Sequence, residues 1–156
     1  MKLKRKKMKI IAPAQVIFLF TVIAGFILQY VAPVHFFASG IFILVLSTIV
    51  LIAGILIAVW ALKTMKTEKV SPNHYTPTAK LIVAGPYQYS RNPMYISMIL
   101  VYLGITLLLN SLWFFVLLMP MSILVCRGII QPEEMFLEAY FGEEYKNYKK
   151  RVRRWF

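Results

Sequence analysis

No aspartate occurs in these 156 residues, and the 6 acidic side chains, all glutamate, face 18 Lys and Arg. Charge of either sign is scarce, at 15%, whereas a soluble domain of this length covers its core with roughly a quarter of charged residues. That shortage, beside an apolar fraction of 60%, excludes a soluble globular enzyme. The apolar fraction also excludes a disordered chain. A net charge of +12 would point to nucleic acid on a soluble fold. On a chain this apolar it marks the cytoplasmic face of a membrane protein, and no nucleic-acid partner is expected. The single cysteine, Cys126, excludes an internal disulfide. No metal is expected either.

What the chain does have is long uncharged runs. From Ile10 to Leu62, and again from Asn92 to Cys126, there is no Lys, Arg, Asp or Glu. A bilayer crossing takes about 20 apolar helical residues. The first run holds two crossings, 11–31 and 41–62, split where Pro33, His35 and Gly40 interrupt the apolar pattern. The second holds two short ones, 93–109 and 112–130, broken at Asn110-Ser111, with Arg127 snorkelling to the interface. The 18 basic residues fall into three groups, Lys2–Lys9, Lys63–Arg91 and Arg127–Arg154. With four crossings all three groups share one side, as the positive-inside rule asks. The first apolar stretch, about 20 residues long, exceeds the h-region of a cleaved signal peptide and is read as a span. The expected fold is all-α: one polytopic membrane domain over residues 1–156 with four transmembrane helices, both termini cytoplasmic and a C-terminal amphipathic helix. A bacterial plasma membrane is the expected location.

Chemistry is then expected in the cytoplasmic segments 63–92 and 131–156. The first begins as a polar linker interrupted by Pro72 and Pro77. It continues as Gly85-Pro86-Tyr87-Gln88-Tyr89-Ser90-Arg91-Asn92-Pro93-Met94-Tyr95. Gly85-Pro86 is a turn signal, and Asn92-Pro93 a helix start, with Asn as cap and Pro where its missing N–H is harmless. Arg91 and the tyrosines can be read as an interfacial anchor and aromatic belt. They can equally be read as a ligand site, because a cation just before a helix N-terminus opposes the helix dipole unless an anion sits beside it.

The second segment gathers five of the six glutamates: Glu133, Glu134, Glu138, Glu143 and Glu144. Pro132-Glu133-Glu134 can open a helix with both carboxylates in its favoured first turn. The alternative is a carboxylate pair that binds a cationic ligand group at the membrane surface. Phe136, Tyr140, Phe141, Tyr145, Tyr148 and Val152 recur at three- and four-residue spacings, which predicts an amphipathic helix lying on the bilayer or folding back under the spans. Arg151, Arg153 and Arg154 with Trp155 and Phe156 read as an interfacial anchor. Taken together, Arg91 suits a carboxylate, the Glu pair an ammonium, and Tyr87, Tyr89 and Tyr95 a sulfonium or an aromatic base. S-adenosylmethionine carries all of these groups, although other zwitterions also fit.

The run from Gly85 to Tyr95 resembles the signature of integral-membrane methyltransferases, among them the isoprenylcysteine carboxyl methyltransferases and the phospholipid N-methyltransferases. Glu133-Glu134, followed by Leu137, Phe141-Gly142, Glu144-Tyr145, Tyr148, Val152 and Arg154, resembles the second half of that signature. The resemblance covers roughly Leu81 to Arg154, about half the chain. It implies S-adenosylmethionine as cofactor, bound by Arg91, Pro93, Tyr95, Glu133 and Glu134, and Gly85, Tyr87 and Asn92 of the same run are expected beside them in the cofactor site. Arg91 and Glu134 are the residues expected to carry catalysis. Asn92 stands where many members have His, and His74, in the polar linker, is a weak substitute for an imidazole. The implied partners are membrane lipids and a small lipophilic acceptor, methylated on a carboxylate or an amine. Two other readings compete: an NADPH-dependent membrane reductase, since sterol-type reductases carry a similar motif pair on larger chains, and a non-enzymatic small membrane protein.

Overall fold

The computed structural model describes residues 11–35, 40–70 and 80–155. Six α-helices account for most of them: α1 (Ala14–Val31), α2 (Ile41–Thr67), α3 (Pro93–Leu108), α4 (Leu112–Val125), α5 (Gln131–Phe141) and α6 (Glu143–Arg151). A 3₁₀ turn over Gly85–Gln88 precedes α3, and a π-helical turn over Cys126–Ile130 joins α4 to α5. Among the described residues there is no strand, only a bridge between His35 and Ser111. The basic start Lys2–Lys9 and His74 lie outside the described residues.

Helix is the outcome these sequences must take in lipid, because every backbone polar group has to be satisfied within its own segment. Three helices are long and apolar enough to cross a membrane: Ala14–Val31, Ile41–Thr67 and Leu112–Phe141, with mean hydropathies of 2.0, 3.1 and 2.1. The 16 residues of α3 make a shorter apolar helix, about 24 Å long at the α-helical rise. Exposed Phe20, Ile41, Phe42 and Met119 turn outward, each about 70% accessible.

Packing relies on small residues. The buried positions of α2 are Ser47, Gly54 and Ala61, seven apart, and α3 buries Ser97 and Gly104 at the same interval. A Cβ on Gly104 would come 2.9 Å from the Leu51 backbone, and one on Gly54 2.9 Å from the Val101 nitrogen. The α2 and α3 backbones therefore touch, which is how helices associate where lipid removes the hydrophobic driving force. The other pair, α1 and α4, meets where Gly25 receives the Phe114 ring. Phe18, Tyr102 and Phe114 fill the space between the pairs.

At the far end of α3 the chain turns through Asn110 (φ 48°) into α4, whose cap Ser111 accepts the Phe114 amide at 3.5 Å. The Ser111 hydroxyl donates to Gln29 at 2.6 Å, and His35 lies 3.3 Å from the Gln29 amide nitrogen. His35 thus belongs to the end of the bundle opposite Arg91.

Three expected boundaries change. Helix α2 continues past Leu62 to Thr67, so Lys63 and Lys66 are helical rather than part of a linker. No new helix opens at Pro132: Ile130 and Gln131 keep right-handed helical dihedrals, and Leu112–Phe141 is one continuous helix. Proline lacks the N–H that would satisfy the Gly128 carbonyl four residues back. The Ile11 amide, just ahead of α1, takes that carbonyl at 3.2 Å. The C-terminal amphipathic helix is in fact two elements, parted at Gly142 (φ 56°, ψ −123°), a conformation suited to glycine. Beyond it α6 folds back, burying Tyr145 and Tyr148 with Leu81 and Val152.

Candidate functional site

The residues singled out in the sequence converge at one end of the bundle, where the starts of α1 and α3 meet the end of α2, α5 and α6. The 3₁₀ turn rests on α2: Gly85 has φ +58°, and a Cβ there would collide with the Thr64 side chain. Gly85 shapes the turn and lines neither cavity described below. The turn places Tyr87 inward, and its carbonyl accepts the Tyr148 hydroxyl at 2.6 Å.

From there the chain runs beside its own C-terminus. The Arg91 amide donates to the Arg153 carbonyl at 3.0 Å. The Arg154 carbonyl accepts from the Ser90 hydroxyl at 2.9 Å and from Asn92 Nδ2 at 3.3 Å. Asn92 holds the cap position of α3, but its side chain makes no capping bond and spans to this strap instead. Trp155, next along, packs with Ala14, Tyr95 and Ile130.

Two carboxylates face this assembly from α5, one turn below the π-helical segment. Glu133 Oε2 accepts the Tyr95 hydroxyl at 2.7 Å. Glu134, 6% exposed, is held by two guanidinium groups. Arg91 Nη2 lies 3.1 Å from Oε1. Arg154 donates through Nε to Oε1 at 3.2 Å and through Nη2 to Oε2 at 2.6 Å. The anion that Arg91 needs at the start of α3 is therefore Glu134. Arg91 is nine-tenths buried, and its Nε and Nη1 have no hydrogen-bond partner among the described residues. Buried guanidinium donors without an acceptor are costly and commonly mark a place for one.

Two cavities meet at this cluster and share Met65, Tyr87, Arg91, Asn92 and Glu133. One, of about 100 Å³, extends toward Lys80, Leu81, Tyr145 and Tyr148 and includes Glu134. The other, of about 200 Å³, extends between α1 and α3 along Ala14, Pro93, Met94, Tyr95 and Met98. Burial pushes the phenols of Tyr87, Tyr145 and Tyr148 above their ordinary 10.0, and for Tyr87 the negative charge of Glu133 adds to it. These walls are neutral hydroxyls at physiological pH. The hydrogen bond from Arg154 to Glu134 raises the Arg154 pKa, so that guanidinium also stays charged.

Arg91, Tyr87, Asn92, Pro93, Tyr95, Glu133 and Glu134 are thus brought together. Tyr89 is not: it is 67% exposed and leans on Trp60 at 6.2 Å. Sequence reasoning placed Arg154 in the second motif and in a basic anchor, but not among the site residues. It is not simply an interfacial anchor, because its guanidinium closes on Glu134. Tyr145 and Tyr148 were legible as the apolar face of a helix and as members of the second motif, but not as walls of the site.

A phospholipid methyltransferase family model matches residues 42–144, a span that contains Arg91, Glu133 and Glu134. An uncharacterized protein of Haemophilus influenzae is 48% identical over 64 residues, covering 40% of this chain and 98% of that protein. No solved structure matches. With about two thirds of its length in the family match and apolar membrane-spanning helices around the paired motifs, the chain belongs to the phospholipid methyltransferase family.

Proposed function

We propose that the protein transfers a methyl group from S-adenosylmethionine to a lipid-like, prenylated or other small acceptor that reaches it through the membrane. The observation that carries this reading is Arg91, nine-tenths buried on the wall of both cavities with two donors unused. Those donors suit the cofactor's carboxylate. Glu133, on the same wall, suits its ammonium, and Tyr87, Tyr145 and Tyr148 offer ring surfaces for the adenine. Glu134 acts behind them, fixing both guanidinium groups. The donor set therefore fits a zwitterionic amino-acid head.

When bound, S-adenosylmethionine supplies an electrophilic methyl on a sulfonium whose leaving group departs neutral and needs no acid. The chain's part is positioning and the exclusion of water, which together account for much of the acceleration in a displacement of this kind. The larger cavity, with Pro93, Met94 and Met98 on its walls, suits the acceptor's apolar portion. A carboxylate acceptor arrives ionised. An amine must shed a proton, and Glu133, steadied by the Tyr95 hydroxyl, stands where the cavities meet and can take it. Four spans with both termini cytoplasmic suit this reading: Lys63, Lys66, Lys80 and the C-terminal bases share the site's end of the bundle, and His35 the other.

The test is transfer of labelled methyl from S-adenosylmethionine to a fractionated lipid and metabolite extract by the purified protein. Label should enter an organic-soluble fraction and fall to background with Arg91→Ala and Glu134→Ala. No label in any fraction, with no S-adenosylhomocysteine released, refutes the proposal.

A further inference from the structure

We propose that Arg154 is a positioning residue that keeps Arg91 partly open for its ligand by holding the second oxygen of Glu134 away from it. The inference rests on the reading of Arg91 as the cofactor-carboxylate site, and concerns a residue beyond the family match, which ends at 144. An arginine and a carboxylate left to themselves settle into a two-pronged pair. Glu134 gives that geometry to Arg154, through Nε at 3.2 Å and Nη2 at 2.6 Å. Arg91 reaches only Oε1, from Nη2 at 3.1 Å. Its Nε and Nη1 remain buried and unpartnered.

The strap makes this division permanent. The Arg154 carbonyl is held by Ser90 and Asn92, the residues on either side of Arg91, and the Arg153 carbonyl by the Arg91 amide itself. The two guanidinium groups are thereby set at fixed places around one carboxylate. With the Arg154 guanidinium gone, Glu134 is free to turn both oxygens onto Arg91. The site then satisfies itself, and an incoming carboxylate has to displace Glu134 to bind.

The experiment compares two probes on the full-length protein in detergent: S-adenosylhomocysteine, and 5′-methylthioadenosine, which lacks the carboxylate and ammonium. Arg154→Ala should weaken S-adenosylhomocysteine by about ten- to a hundredfold, the range for a lost charge-assisted hydrogen bond. It should leave 5′-methylthioadenosine within about twofold of wild type. Adding Glu134→Gln to Arg154→Ala should restore most of the S-adenosylhomocysteine affinity, because an amide does not compete for Arg91 as a carboxylate does. Three results overturn the inference while leaving the reading of Arg91 intact: unchanged S-adenosylhomocysteine affinity in Arg154→Ala, equal loss of both probes, or selective loss that Glu134→Gln does not relieve. Failure of the wild-type protein to bind S-adenosylhomocysteine at all removes the cofactor reading, and this inference with it.

Discussion

Removing the Glu134 carboxylate should cost more stability than any other single truncation at the site. Glu134 is 6% exposed, and the Arg91 and Arg154 side chains around it are 10% and 32% exposed. In Glu134→Ala, Arg154 can turn part of the way to water. Arg91 cannot, and it already carries two unpartnered donors. Taking one partner from a buried ion pair costs about 3–5 kcal/mol, a large share of the 5–15 kcal/mol that holds a typical protein folded. At roughly 2–4 °C per kcal/mol for a chain of this size, the midpoint of thermal unfolding should fall by roughly 6–20 °C. Glu134→Gln, which keeps one acceptor oxygen, should fall about half as far. The triple change Arg91→Met, Glu134→Leu and Arg154→Met removes the whole group and should unfold within a few degrees of wild type, since apolar replacement of a complete buried ion cluster is often neutral. It should nonetheless bind no S-adenosylhomocysteine. Thermal unfolding in detergent, followed by tryptophan fluorescence, reads all three. A wild-type midpoint for Glu134→Ala would show that the carboxylate is solvated rather than enclosed, and would refute the account of the site built on it.

Two further perturbations test other parts of the structure. Gly104→Ala places a methyl 2.9 Å from the Leu51 backbone, which only separation of α2 and α3 can relieve, at about 1–3 kcal/mol. Gly54→Ala opens the same seam, so the double variant should lose less than the sum of the two in thermal unfolding. The buried phenols of Tyr87, Tyr145 and Tyr148 titrate above the 10.0 of an unfolded tyrosine. Their contribution is complete below pH 10 and is lost above it, as the unfolded state begins to release protons that the folded state keeps. Ultraviolet titration should therefore show these phenols ionising together with unfolding on the alkaline side. Ionisation near pH 10 in the folded protein would contradict their burial.

The parts of the fold that are legible in the sequence depend on neighbours in the chain. Asn92-Pro93 starts α3 and Asn110-Ser111 separates α3 from α4, because proline and a Ser cap act within a turn of where they stand. The uncharged runs become apolar helices for an equally local reason. Pro132 misleads, because the helix passes through it by way of the π-helical turn over Cys126–Ile130, and the freed Gly128 carbonyl is taken by the Ile11 amide from the other end of the chain. The fold-back at Gly142 is signalled only by a glycine after Phe141, and an amphipathic pattern running on past it conceals the break. Arg91 and the Glu pair stand out against a chain poor in charge. Arg154 does not, since one base in a basic tail looks like an anchor. The available signal was its place at the end of the second motif, two residues after Val152.

Charge balance explains how a site built from opposed charges can stand together at one end of an apolar bundle. Arg91 and Arg154 balance Glu133 and Glu134 one for one, and an unbalanced charge at this depth would be expensive. Neutrality of the group does not satisfy every atom, because Arg91 keeps two donors without acceptors. The amino-acid head of the proposed cofactor brings one carboxylate for Arg91 and one ammonium for Glu133, which cancel, while its sulfonium adds one positive charge that the tyrosine ring faces can accommodate. The low dielectric around the cavities strengthens each of these attractions relative to water. On the proposed function, preference for a zwitterionic head follows from two features together: the two arginines and two glutamates balance, and the strap through Arg154 holds the other guanidinium incompletely paired.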